Sequence, residues 1–150
     1  MLTCKRKESA FTLIELLVVV IIVAVLASVA VPLLSANVIR AKASEAEAGL
    51  GTIRTGLRAF FAENQTYVGA TFPLVGINIT AANNDGDLDG RYFSDDTYAL
   101  TTLAATTYCV RVSSTAGNLA PRAADLAVAP NIVLRSINEQ GTIFKTLDCT

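Results

Sequence analysis

The sequence contains no histidine and no tryptophan among its 150 residues. The missing histidine removes the commonest general base and the commonest metal ligand. Any catalysis would fall to carboxylates, Lys, Tyr or Cys. Charge is also sparse: charged residues make up 17% of the chain and the formal net charge is −1. No broad basic surface indicates nucleic acid as a partner. Three cysteines without a histidine are too few ligands for a structural metal centre. The residue set points away from an enzyme and from a resident cofactor.

Apolar side chains are what the chain has in quantity. They reach 52%, and the mean hydropathy is +0.47, high for a soluble domain. The excess is concentrated in residues 11–34, so the average combines a membrane-type segment with an ordinary domain. The length suits one globular unit.

Lys5, Arg6 and Lys7 form a basic cluster ahead of Glu8, Ser9 and Ala10. The apolar run of roughly 24 residues that follows would be about 36 Å long as a helix, enough to cross a hydrocarbon core of about 30 Å. The basic cluster predicts a cytoplasmic N-terminus and an external C-terminal part. A plain membrane anchor, a secretory signal cut near Ser28-Val29-Ala30 and a buried core helix all compete as readings. Against the second, the run is longer than an h-region of about 7–15 residues and continues through Pro32. The length and the many β-branched residues disfavour the third. None of the three accounts for Glu15, because a carboxylate in lipid costs about 2.5–3.5 kcal/mol at mid-bilayer.

Basic residues, a small residue and then Phe11-Thr-Leu-Ile-Glu15-Leu-Leu resemble the class III signal of type IV prepilins and pseudopilins. The likeness is dense over residues 5–34. It implies that a membrane prepilin peptidase cuts between Ala10 and Phe11 and methylates the new amine. The family usually has Gly before the cut, and the Ala10 found here is expected to slow cleavage. Removing residues 1–10 would place a positive amine on Phe11, one helical turn from Glu15. The resemblance implies that Glu15 meets the Phe11 amine of a neighbouring subunit; spacing equally allows the pair within one helix. Pro32 removes a backbone hydrogen bond and clashes with the preceding turn, which membrane helices tolerate as a kink. In pilins the stretch before this proline can lose helical structure on assembly, which here would be residues 24–31.

Beyond the membrane segment, Ile39, Ala43, Ala46, Leu50, Ile53, Leu57 and Phe60 recur at steps of four and three. This spacing predicts an amphipathic helix over residues 35–64. Arg40, Lys42, Glu45, Glu47, Arg54, Arg58 and Glu63 fall mostly on its other faces, with Lys42 and Glu45 spaced to pair. Gly49, Gly51 and Gly56 would serve either close packing or bending. Turn-rich sequence over 68–96 predicts a loop. Strands are expected at 98–103, 107–113, 132–137 and 142–147. The expected fold is α+β, a long N-terminal helix packed on a C-terminal antiparallel sheet. The expected divisions are a leader 1–10, a membrane or filament-core helix 11–34, an amphipathic helix 35–66, an αβ loop 67–97 and a sheet region 98–150.

Within the loop, Asp85, Asp87, Asp89 and Asp96 take positions one, three, five and twelve of a calcium loop, with Gly90 at six. No helix flanks this segment, so a solvated acidic turn competes with a calcium site. Cys4 would leave with the leader. Cys109 and Cys149 would remain outside the membrane, where disulfides persist, and are expected to be bonded.

The resemblance implies a structural subunit of a helical homo-oligomeric filament. It would be held in the inner membrane as a precursor, in contact with lipid, and passed by the assembly machinery to an extracellular pilus. Adhesion, motility or DNA uptake could follow from such a filament. A pseudopilin of a type II secretion system is the alternative within the same family. An uncleaved membrane-anchored binding domain is the alternative outside it.

Overall fold

The computed structural model describes residues 11–79, 86–115, 126 and 131–149. One helix, α1 (Leu13–Asn64), runs for 52 residues. Among the described residues four strands follow: β1 (Tyr98–Leu103), β2 (Tyr108–Ser113), β3 (Leu134–Asn138) and β4 (Ile143–Phe144). The chain divides into two units, one ending at Val38 and one, here called the head, beginning at Ile39.

In the first unit every described residue from Phe11 to Val38 is exposed. Leu26, for example, is 65% exposed and Leu33 66%. Bare apolar surface of this extent is costly in water. The helix is long and apolar enough to cross a membrane. Its few hydroxyls are satisfied internally: Ser28 Oγ donates to the Val25 carbonyl at 2.7 Å and Ser35 Oγ to the Pro32 carbonyl at 2.9 Å. Helical structure continues through Pro32, and residues 24–31 are helical in the single chain.

In the head, the apolar stripe of α1 forms one wall of the core. Ala46, Leu50, Ile53 and Leu57 are fully buried, whereas Ile39 and Phe60 lie at its margin. Burying each Leu or Ile contributes about 1.5–3 kcal/mol. Facing them are Tyr108, Val110 and Val112 of β2, with Phe93 from the loop. The four strands pair antiparallel in sequence order. The register of β1 on β2 slips between Leu100 and Thr102. Alternation along β2 puts Val110 and Val112 inside and Arg111 outside.

Three strands sit close to their expected places. The fourth does not: β4 holds only Ile143 and Phe144, not 142–147. Residues beyond Phe144 leave the sheet because Cys149 is bonded to β2 and Ser136 Oγ donates to the Asp148 carbonyl at 3.2 Å. The described residues of the 68–96 span, 68–79 and 86–96, lie outside α1 and the strands, with short 3-10 turns at Pro73–Val75 and at Asp95–Thr97. The helix ends at Asn64, followed by Gln65 in the left-handed region at φ 56°.

Close packing, not bending, accounts for two of the three helical glycines. A Cβ on Gly49 would strike the Tyr98 ring and hydroxyl, and one on Gly56 would strike the Val75 carbonyl. Gly51 has open space beside it. The two substitutions Gly51→Ala and Gly56→Ala should therefore have opposite signs. In detergent-solubilised full chain, denaturant unfolding of the head should show Gly51→Ala gaining up to about 1 kcal/mol from helix propensity. Gly56→Ala should lose about 1–3 kcal/mol from overpacking against backbone. Equal shifts for the two would contradict this packing.

Candidate functional site

The start of α1 carries the assembly residues expected from the sequence. Leu13 is the first helical residue, and Phe11 and Thr12 precede it. Thr12 caps the helix, and Glu15 closes back onto it. Glu15 Oε2 accepts the Thr12 backbone amide at 3.0 Å and the Thr12 hydroxyl at 2.7 Å. The Thr12 hydroxyl in turn accepts the Glu15 amide at 3.4 Å. This reciprocal arrangement is a capping box, and it satisfies helix-end amides that have no intrahelical acceptor. A carboxylate at this end is also favoured by the helix dipole. Glu15 thus has a partner inside its own helix, and that partner is Thr12. The sequence reading passes over Thr12, although Thr-x-x-Glu ahead of an apolar run is the signature of such a cap. Phe11 is 77% exposed. Ala10 lies outside the described residues.

The two cysteines of the head are bonded: Cys109 on β2 and Cys149 have Cα atoms 5.8 Å apart and close a sequence separation of 40. Beside the disulfide lies an open groove of about 520 Å³, bordered by Thr101, Thr107, Arg111, Asn138 and Asp148.

The acidic loop is held together by its own carboxylates. Asp87 Oδ2 accepts the Asn78 amide at 2.8 Å. Asp89 accepts the Gly86 amide at 2.8 Å through Oδ2 and the Asp95 amide at 2.9 Å through Oδ1. Asp96 Oδ1 accepts the Ser94 hydroxyl at 2.7 Å. Asp85, the first position of the calcium pattern, lies outside the described residues. Among the described residues no three His, Cys, Asp or Glu side chains are grouped to hold a metal ion.

Several charged residues of α1 that sequence assigns to other faces instead grip the head. Glu45 Oε1 accepts the amides of both Tyr92 and Phe93 at 2.7 Å, each a charge-assisted bond of the stronger kind. Lys42 is buried, with Nζ 5.1 Å from the centre of the Tyr92 ring. Arg135 Nε meets Glu47 Oε1 at 2.8 Å. Arg54 donates to the Gln140 carbonyl at 3.2 Å. The loop and sheet cover a wider arc of the helix than its apolar stripe, so these flanking side chains become anchors. Spacing alone carries no signal of which long-range backbone they reach.

Burial, together with the negative charges of Glu45 and Asp89, raises the Tyr98 phenol well above the ordinary range. Burial likewise pushes Tyr108 up to about 12. Both groups keep their proton more firmly in the folded state than in the unfolded one. Their contribution is therefore complete below the unfolded value of about 10 and is lost as pH rises through the folded values. Thermal unfolding of the head should show a midpoint insensitive to these groups up to about pH 10. It should then fall steeply, and Tyr98→Phe should flatten that fall. An unchanged slope in the variant would remove Tyr98 from the account.

Comparison with known proteins bears on the helix start. Residues 5–31 match the family described as the prokaryotic N-terminal methylation motif. The match covers the start of the chain, where the type IV pilin class III signal lies. The chain is also 39% identical over 61 residues to the "Type IV major pilin protein PilA" of Myxococcus xanthus (strain DK1622), a stretch covering 41% of this chain. The matched stretch spans 28% of that pilin's length. No solved structure matches the chain. The pilin signal covers Phe11, Glu15 and the first part of α1, and the antiparallel sheet on its later part gives the α+β arrangement expected of a pilin.

Proposed function

We propose that this chain is a type IV pilin, a structural subunit, the major one, of a type IV pilus. The observation that carries this reading is the uncovered apolar surface of residues 11–38, headed by Glu15 and carrying the methylation motif. Lipid would cover it before assembly, with the N-terminus cytoplasmic as the basic cluster at Lys5, Arg6 and Lys7 directs. Equivalent helices of other copies would cover it afterwards. The prepilin peptidase removes residues 1–10 and methylates Phe11, and the inner-membrane machinery then extracts the subunit into an extracellular filament. Likeness to a protein named as a major pilin and the disulfide-bounded head favour a pilus over a secretion pseudopilus. No step of this role requires catalysis or a cofactor of the chain itself. Pro32 would act during extraction, because the Ser28 carbonyl already lacks its helical donor and the turn before the proline opens at lower cost. For the acidic loop we retain a calcium role only as a conditional one, requiring Asp85 to join Asp87, Asp89 and Asp96.

The intact mass of the chain from native filaments and membranes tests processing. The expected mass begins at Phe11, is heavier by one added methyl group, and is lighter by two hydrogens until reductant is added. A mass retaining Met1 to Ala10 would refute the pilus reading and leave a membrane-anchored domain.

A further inference from the structure

We propose that the head binds a small inorganic anion, of the size and charge of chloride, between Arg54 on α1 and Tyr108 on β2. Arg54 Nε and the Tyr108 hydroxyl are both sealed from solvent, and neither has a hydrogen-bond partner among the described residues. Tyr108 is only 2% exposed. A buried polar atom without a partner is uncommon in a folded protein and carries the full cost of its desolvation. The two lie close enough for the guanidinium to act on the phenol as a donor would, yet the approach falls short of a formed hydrogen bond. Two such atoms side by side point to a third group that serves both. A swing of Arg54 into water does not serve instead, because its guanidinium is held. Nη2 donates to the Gln140 carbonyl at 3.2 Å and reaches that of Glu139 at 3.5 Å. The guanidinium also packs on Gly141, where a Cβ would come within 2.7 Å of Arg54 Cζ. The Nε–H therefore keeps its place beside the β3–β4 turn.

The surroundings set the charge of the ligand. Both atoms offer a hydrogen, and the guanidinium accepts none. Arg58 follows Arg54 by one helical turn, a spacing at which like charges repel. Among the described residues neither arginine meets a carboxylate within ion-pairing distance. Burial raises the Tyr108 phenol, and the positive charges of Arg54 and Arg58 pull against it, so the field at the hydroxyl is positive. The neighbouring wall is aromatic: Tyr67 meets Tyr108 edge to face at 4.8 Å, and Phe61 stacks on Tyr67 at 4.6 Å. A water molecule would satisfy the donors but leave the partly buried guanidinium charge uncompensated. A halide does both, and its spherical charge accepts from whichever directions the donors approach. A doubly charged oxyanion would bring more charge into the site than one buried guanidinium offsets.

The test is unfolding of the full chain in a non-ionic detergent at fixed ionic strength, with sodium gluconate exchanged stepwise for sodium chloride. The wild-type head should gain stability along a single-site curve, its unfolding constant falling about tenfold at roughly ten times the half-saturating chloride concentration. Bromide should replace chloride. Tyr108→Phe should lose the response and, in gluconate, be at least as stable as the wild type, because it removes an unpartnered hydroxyl. Arg58→Gln, at an exposed position, should keep the response but raise the half-saturating concentration roughly twofold to fivefold, the scale of one exposed charge. Chloride NMR gives a direct readout: the wild-type chain should broaden the chloride line, and Tyr108→Phe should not. Equal responses to gluconate and chloride would reveal general screening and overturn the site. So would an equal chloride response in the wild type and Tyr108→Phe, or a chloride line that the wild type leaves sharp. In each of those cases Arg54 and Tyr108 bond one another or share a water instead.

Discussion

Glu15→Gln should leave the leader removed and the subunit in the membrane, yet reduce filament yield by about a hundredfold or more, the scale of breaking a buried charge pair. The substitution keeps the size of the side chain and its hydrogen bonding to Thr12, since an amide oxygen can still accept there. It removes only the charge. In the proposed filament the Phe11 amine enters an apolar bundle and has to meet an opposite charge. Without one, a cation is left in a medium of low dielectric, and that cost falls on every added subunit. Membrane insertion itself should be unharmed, because deleting a charge from residues 11–34 makes the segment more apolar. The informative result is therefore a split: normal mass, normal membrane level, few filaments. Equal loss from membrane and filament would indicate a defect in folding or insertion. Wild-type filament yield would show that Glu15 carries no assembly charge and that the capping box is its whole role.

How far such a result could be anticipated from sequence differs along the chain. The first half of α1 was legible because its signals are local. Apolar length, the basic cluster and Glu15 at a fixed distance from Phe11 need no tertiary knowledge. The apolar stripe from Ala43 to Leu57 was legible for the same reason, since its period belongs to the helix itself. Thr12 was legible in principle, as the first residue of a capping box, but the prominence of the charge at Glu15 drew attention to partners outside the helix. The anchors were not legible. Glu45 binds backbone amides 47 and 48 residues away, and amides carry no side-chain signature. The short β4 was misjudged because β-branched residues continue through Thr142 and Thr146, while the disulfide pulls residues 145–149 out of register. Gly49 and Gly56 were ambiguous until Tyr98 and Val75 were seen against them. The acidic loop shows the limit most plainly. Its spacing fits calcium, but Asp87 and Asp89 are already acceptors for the loop's own amides.

Replacing both Cys109 and Cys149 by serine should lower the stability of the head by about 4 kcal/mol. The bridge closes a separation of 40 residues, and a loop of that size loses roughly this much entropy in the unfolded chain when cross-linked. For a unit of about 100 residues, a loss of this size lowers the unfolding midpoint by roughly 15–30 °C. The folded side of the balance points the same way. Cys109 is buried on β2, and the residues after β4 are held over the sheet by Cys149 and by the Ser136 bond to the Asp148 carbonyl. With the bridge gone, that single neutral hydrogen bond contributes only about 1 kcal/mol, too little to keep the segment docked against its own chain entropy. Residues 145–149 should then become the first site of protease cleavage, ahead of any site in β2 or β3. Reductant should reproduce both effects in the wild-type chain and change nothing in the variant. A loss below about 1 kcal/mol would mean that the reduced chain retains the loop by itself, contrary to the entropic account. The same change should leave the membrane helix and Glu15 untouched, so a filament subunit of this design would still assemble and would fail at its outer surface instead.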